Sequence, residues 1–524
     1  MRAYLVHESY KASNRLTVEQ PNEIQELILY GNSNNACQLL LHDGAKNHFV
    51  LSREFSIPDA IEIPTYRVAI QSSLPVNAQF IDYYIGSQDI LYADKLLEQT
   101  AKTYSGDRYA PIYLEFPIDA EVKAGSYDLE ITVYQSHLTG IEEVVASKKL
   151  TLKVSSYCFP EEVANDFNLD IWQQPSNLAR SFQVPLWSDA HFQLIEEMAI
   201  SLAKIGQKAV TVIAGEIPWK GWFNYIVKDY PANLYEYSMI NVKKDQQGEL
   251  VCDFSVLDRY LNCMVKAGID QEIDVFGLLG VWQPPFFPLI KNLDYPEKIV
   301  VRYFDEVLQK VAFIESKSEL KSVDETVQIK VAFDKEKVLE QLISEIDYPV
   351  TSFYCTCKNY QKLTQSYPDK TQYYICNYPD RPNTFLHSSL LETRIQGVLA
   401  HCFKTNGLLR WAYNCWPENV REDIRYNTSS LPIGDNCLIY PAYSGHVLLS
   451  LRYKQLQRGI EDFYLIKQAE KQDETKIQQL INTFIGSDDP KEWMVDSHTI
   501  NPMLFNQTDD LYEEFRKQLI GLVL

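Results

Sequence analysis

Asp334-Lys335-Glu336-Lys337 crowds two carboxyl groups and two ammonium groups into four consecutive positions. Hydrolysis of a glycosidic bond calls for such a pair of acids: one group protonates the departing oxygen and another stabilises positive charge at the anomeric carbon. The same four residues also make an ordinary solvated helix start, so their spacing alone has low specificity. Asp170, Glu216, Asp274 and Asp435 are further acids that spacing does not rank. The nine histidines are scattered, without an HExxH or a paired His–carboxylate pattern, and no Gly-x-Ser-x-Gly elbow occurs. Neither a metal centre nor a serine nucleophile is expected, and no cofactor is implied.

The tryptophans carry the second signal. Trp172, Trp219, Trp222, Trp282, Trp411 and Trp416, six of the eight, stand at predicted strand ends or in the loops that follow. Aromatic faces stack on the apolar C–H faces of sugar rings, while Asn, Asp and Arg bind the hydroxyls. Any one Trp is more simply a core residue, but six at one rim point to a cleft for a neutral sugar.

The elements that must position these residues follow from hydrophobic period. Up to about residue 155 the pattern is of short alternating runs such as Ile112–Phe116 and Tyr127–Val133, with Lys123-Ala-Gly-Ser as a turn. That predicts a β-sandwich, interrupted at most by a short helix near Asp94–Lys102. From about Asn165 to Leu451 strands and helices alternate. Strands are predicted at 168–172, 209–213, 273–279, 327–333, 350–354, 372–376 and 407–413. Helices are predicted at Ser188–Ile205, with Ser188 as N-cap and Gly206 behind it, at Phe254–Ala267 closed by Gly268, and around Val300–Ile314. Such alternation fits a (β/α)8 TIM-like barrel better than an open sheet, and no Gly-rich phosphate loop opens a helix. Beyond about Gln455, Ile460, Phe463, Ile466 and Ala469, then Ile477, Leu480 and Phe484, recur at helical spacing. The division expected is 1–155 as an accessory β-sandwich, 160–454 as the (β/α)8 catalytic domain and 455–524 as a helical segment packed on the barrel.

Length and charge bound the rest. A chain of 524 residues accommodates two or three domains. With 49 basic and 70 acidic residues its net charge is −21, a field that disfavours nucleic acid and anionic membrane surfaces but not a neutral ligand. The most apolar runs, such as Val275–Val281, are far too short to span a bilayer, and the N-terminus lacks the apolar stretch of a secretory signal. Ten cysteines without an evenly spaced framework read as reduced thiols of a cytoplasmic protein.

Several segments resemble one family. Thr371–Phe385, Gly407–Trp416, Asp423–Arg425, Gly434–Pro441 and Ser450–Phe463, with Leu169–Pro175 and Gly268–Asp270 upstream, are similar to the glycoside hydrolase family 123 catalytic domain. Pro111–Tyr113 and Lys123–Tyr127 resemble the β-sandwich that precedes it. The resemblance implies a retaining exo-β-N-acetylgalactosaminidase of the N-acetylhexosaminidase type. In that chemistry the 2-acetamido oxygen of the sugar attacks the anomeric carbon. An Asp orients and polarises the acetamido N–H, and a neighbouring Glu protonates the departing oxygen. Asp334 carries over as the polarising residue. Lys335 stands where the Glu belongs, so Glu336 is the candidate acid, provided the chain turns there. The resemblance further implies that Trp172, Trp219, Tyr374, Arg410, Trp411, Tyr413, Asn414, Trp416 and Asp435 contact an amino-sugar glycan. A member that lost its acid and holds glycans without cutting them is the alternative.

Overall fold

A computed structural model describes residues 1–16, 21–54, 63–213, 238–276, 317–318, 321–425 and 431–524. The alternating N-terminal runs form two sheets. One is antiparallel, with strands Arg2–His7, Asn34–His42, Ala110–Pro117, Asn77–Ile85 and Leu91–Leu96 in spatial order. The other places Glu26–Gly31, Glu142–Cys158, Gly125–Ser136, Thr65–Ser72, Asn47–Leu51 and Ala101–Tyr104 side by side. Period-2 residues of both, among them Leu39, Leu41 and Ile112 from the first and Leu129, Ile131 and Leu152 from the second, bury into one shared core. The helix expected near Asp94–Lys102 is instead the end of one strand and the start of another. Strand pairing of Lys95 with Asp82 and burial of Asp94 and Lys95 in ion pairs override a local helical pattern.

Parallel strands follow: β1 (Asn168–Ile171), β2 (Ala209–Ile213), β3 (Glu272–Phe276), β4 (Lys330–Phe333), β5 (Tyr348–Ser352), β6 (Gln372–Tyr374) and β7 (Gly407–Arg410). They are joined by helices that include α1 (Asp189–Ile205), α2 (Ser255–Ala267), α3 (Glu336–Leu342) and α4 (Phe353–Ser366). The predicted caps are present. The Ser188 hydroxyl accepts from the backbone N–H of His191, and Gly206 closes α1 at φ 95°, a left-handed conformation costly for other residues. β4, β5, β6, β7 and β1 pair in that order, β2 pairs with β3, and a single parallel bridge from Leu169 to Gln207 carries β1 towards β2. The last strand therefore lies against the first, and strands succeed one another in chain order. Gly407 permits that closure, since a Cβ there would lie 1.8 Å from the carbonyl oxygen of Asn168. Seven parallel strands are present among the described residues, where eight were expected. The helix predicted around Val300–Ile314 lies outside the described residues.

The C-terminal helices are α5 (Leu451–Glu470), α6 (Glu474–Ile485) and α7 (Asp509–Val523). The predicted apolar positions Ile460, Phe463, Ile466, Ile477, Leu480 and Phe484 are all buried. α5 begins four residues before Gln455, capped by Ser450, and its polar side is buried too. Arg394, Arg458 and Arg516 meet Glu8, Glu461 and Asp462 at 2.7–3.0 Å in one closed network. Arg452 binds Asp94 at 2.9 Å, and Tyr440 donates to the same carboxylate. Buried charges are costly unless paired, so breaking any one of these pairs between the N-terminal sheets and α5 or α7 would leave an uncompensated charge. Among the described residues no helix is long and apolar enough to cross a membrane.

This junction sets an acid limit. Burial alone would raise the Asp94 carboxyl, but the Arg452 guanidinium and Lys11 ammonium hold it at about 2. Burial likewise acts on Glu461, which Arg458 and Arg516 hold at about 2. A carboxylate depressed in the folded state stabilises above its unfolded pKa of about 4, and that contribution disappears as pH falls towards 2. Thermal unfolding followed by circular dichroism should thus lose midpoint steeply between about pH 5 and 2. Asp94→Asn should start lower at pH 7 and flatten the slope; an unchanged slope would remove Asp94 as a cause.

Candidate active site

The rim at the C-terminal ends of the strands is built by alternation. Lys330 and Ala332 on β4 point to one side, and Tyr348, Val350 and Ser352 on β5 do the same. Tyr348, Val350 and Leu409 form an apolar layer against which Trp172, Ala332 and Tyr374 pack. Trp172 directly follows β1, and Tyr374 ends β6. Beyond them β4 stops at Phe333, the chain bends at Asp334, and α3 begins at Glu336. Asp334 is exposed and Glu336 half-buried, the latter accepting a hydrogen bond from Asn359 Nδ2 at 3.2 Å. Both carboxylates act on one thiol. Burial pushes Cys355, in the first turn of α4, up to about 11, and Glu336 and Asp334 add to that rise. Burial also raises the Tyr374 hydroxyl well above its usual range, with Cys376 and Asp334 adding negative potential. The charges of Asp334 and Glu336 thus both reach the first turn of α4, and that of Asp334 also reaches Tyr374, while Lys335 between the acids is exposed.

The segment after β7 supplies the other wall. Trp411 is half-buried and donates its indole N–H to Asp435 Oδ2 at 2.6 Å. Arg410, fully buried, holds the other carboxylate oxygen at 2.8 Å and the carbonyl of Ile375 at 3.1 Å. Arg410 and Asp435 therefore brace the Trp411 ring and the β6 loop. Asn414 is buried, accepting from the N–H of Gln174 at 2.9 Å and donating to its carbonyl at 3.0 Å, which clamps the Trp172 loop. Tyr413 and Trp416 lie in the core, closed to solvent. The Tyr413 hydroxyl pairs with Ser201 and the Trp416 indole N–H donates to the carbonyl of Ile439. Trp219, like Glu216, Trp222 and Trp282, lies outside the described residues.

Beneath the apolar layer sits a cluster that spacing did not reveal. Lys330 Nζ lies 2.6 Å from Asp170, 2.6 Å from Glu272 and 3.0 Å from Asp274. The three carboxylates offer oxygens within 4.8 Å of one another, the arrangement of a cation site, and the ammonium is the cation that fills it. β3 and β4 share no backbone pairing among the described residues, so these ion pairs join them across the gap. Burial first, and then the Asp170 charge, push the Asp274 carboxyl well up. Glu272 is raised by burial, yet Lys330 and a hydrogen bond from Asp274 bring it net downward. Burial and the neighbouring carboxylates thus favour the protonated form of Asp274, while the ammonium favours the charged form of Glu272. Asp170 and Asp274 stand among the acids that spacing does not rank, and Glu272 and Lys330 carry no sequence signal, because 160 positions separate Asp170 from Lys330.

Comparison with known proteins gives two findings of weight. The model of the glycoside hydrolase 123 catalytic domain matches residues 172–322 and 315–469. A solved family 123 glycoside hydrolase from Clostridium perfringens, described for glycolipid glycan hydrolysis, aligns over 100% of this chain and 96% of its own. Its TM-score is 0.69 at 14% identity, a likeness that shows the fold. The major pilin subunit BcpA of Bacillus cereus is 8% identical over 33% of this chain and 43% of that one, with a TM-score of 0.15 that carries no argument. No curated protein matches the chain.

Proposed function

Because the chain belongs to glycoside hydrolase family 123, we propose that it is a retaining exo-β-N-acetylgalactosaminidase working by substrate assistance. The glycolipid glycan chemistry of its structural neighbour supports a glycan substrate. In this reading the acetamido oxygen closes on the anomeric carbon, Asp334 takes up the acetamido N–H, and Glu336 protonates the leaving oxygen. Trp172, Tyr374 and Trp411 line the sugar, with Arg410, Asp435 and Asn414 holding the walls. The chain-order succession of parallel strands supports a (β/α)8 cylinder around this site. None of the ten cysteines is joined in a disulfide, which supports a reducing, cytoplasmic setting.

One observation carries the assignment of the acids. Residues two apart on a strand share a face, but here the strand ends at Phe333, and helix onset at Glu336 turns that carboxylate to Asn359, whose Nδ2 also donates to the carbonyl of Cys355. Lys335 therefore need not be the proton donor, since an ammonium is a far weaker acid than a carboxyl group. It does favour the second reading, a glycan-binding member without turnover.

Hydrolysis of a nitrophenyl N-acetyl-β-galactosaminide separates the two. Turnover by the wild type supports the first, and Lys335→Glu should then be neutral or harmful. A silent wild type awakened by Lys335→Glu means that the acid was lost at position 335. No turnover and no sugar binding in either protein excludes both readings.

A further inference from the structure

Asp435 is fully buried and spends both carboxylate oxygens inside the protein: Oδ1 accepts from Arg410 Nη2 at 2.8 Å, and Oδ2 from the Trp411 indole N–H at 2.6 Å. Arg410 is equally closed to solvent, so Trp411 is the member of this trio that stays half-open. The mount of the carboxylate is rigid. Gly434 takes φ 87°, its carbonyl accepts from Arg452 Nη1 at 2.7 Å, and the Asp435 N–H donates to the carbonyl of Pro432 at 3.0 Å. An antiparallel pairing then ties this turn to the segment after β7. The Cys415 N–H donates to the carbonyl of Asn436 at 3.0 Å, and the Leu438 N–H to that of Tyr413 at 2.9 Å. A short side chain on such a turn makes Oδ2 a fixed point. A hydrogen bond to a carboxylate is stronger than one to a neutral acceptor, and at the indole nitrogen it stops the ring from turning about its Cβ–Cγ bond.

Backbone contacts place Trp411 beside Trp172. β1 and β7 pair as far as Ile171 and Arg410, and the pairing runs on: the Trp172 N–H donates to the carbonyl of Arg410 and the Tyr413 N–H to that of Trp172, both at 3.0 Å. Gln174 Nε2 adds a hydrogen bond to the Trp411 carbonyl at 3.1 Å. Resting on the glycosidase reading above, we propose that Asp435 is a positioning residue for Trp411. It does not touch the sugar; it holds the indole ring at the angle needed for stacking and withholds the indole N–H from the sugar hydroxyls. At this wall the sugar then meets an aromatic face alone, and part of the ordering cost of binding is met before the ligand arrives. Arg410 links the anchor to the loop after β6 through the carbonyl of Ile375 at 3.1 Å, so the two move together.

Calorimetric titration of the full chain with N-acetylgalactosamine tests this, with the indole protons followed by NMR on protein carrying 15N-labelled tryptophan. The Trp411 signal is the one missing from Trp411→Phe. In the wild type it should lie downfield and stay there when sugar is added. A signal that moves upfield on sugar addition would mean that the N–H turns to the ligand, which overturns the proposal without any variant. Asp435→Asn should shift the indole proton upfield and weaken sugar binding about fivefold, the size of ordering one side chain. Trp411→Phe keeps an aromatic ring without the N–H and should also bind more weakly, and adding Asp435→Asn to it should cost nothing more. A further fivefold loss in the double variant overturns the proposal, since Asp435 would then act on the sugar without the indole. Unchanged affinity in Asp435→Asn despite a shifted indole proton overturns it as well, and leaves the glycosidase reading standing. Absence of binding by the wild type overturns both together.

Discussion

Asp334→Asn is expected to lower turnover of a nitrophenyl N-acetyl-β-galactosaminide by about 10²–10³-fold, the usual loss when a preorganised electrostatic contact is removed. The amide cannot stabilise positive charge developing on the acetamido nitrogen, whereas KM should change little because the contact strengthens during reaction. Asp334 is exposed at the end of β4, so stability should be unaffected, and unfolding curves of the two proteins should superimpose. Glu336→Gln should behave differently. Loss of a general acid costs about 10²–10⁴-fold for a natural glycoside and far less for an activated nitrophenyl leaving group. Equal rates for the wild type and both variants would sink the assignment of these acids.

Lys330→Met should have the largest effect on stability. Removing one member of a buried ionic group costs about 3–5 kcal/mol, because the remaining charges lose their partner in a medium that solvates them poorly. Here the orphans are Asp170 and Glu272, with Asp274 beside them. The pH dependence carries the diagnosis. In the wild type, Glu272 is net depressed by the ammonium, so its contribution is present at neutral pH and lost in acid, which opposes the gain in acid from the raised Asp274. Without the ammonium the buried carboxyls bind protons more readily than in the unfolded chain, so the variant should gain stability as pH falls from 7 to 5. Urea denaturation at both pH values measures this. A variant as stable as the wild type, with the same pH slope, would mean that the ammonium is not inside the cluster.

Local structure was legible wherever neighbours in sequence decide it. The alternation of Tyr127–Val133, the N-cap Ser188 with Gly206 seventeen residues after Asp189, and the helical spacing of Ile460, Phe463 and Ile466 all state a period that the backbone then adopts. The family and the position of the acids at a strand end were legible for the same reason, since both are properties of contiguous segments. Depth was not. Arg410, Trp411, Tyr413, Asn414 and Trp416 read alike as residues beyond a strand, yet Trp411 stays half-open, while Tyr413 and Trp416 are turned into the core by contacts with Ser201 and the carbonyl of Ile439. Nor could any period announce that the polar side of α5 is buried, because its partners Glu8, Ser33 and Asp94 lie more than 350 residues away. Sequence by itself determined the chemical inventory and, outside Asp94–Lys102, most of the described elements and their order, because hydrogen-bond geometry repeats every two or 3.6 residues. Only closure of the tertiary structure decided which charges became partners: Lys330 meets Asp170 because the two ends of a five-stranded sheet curl together, and a burial free energy summed over the whole core, with no local signature, drives that curl.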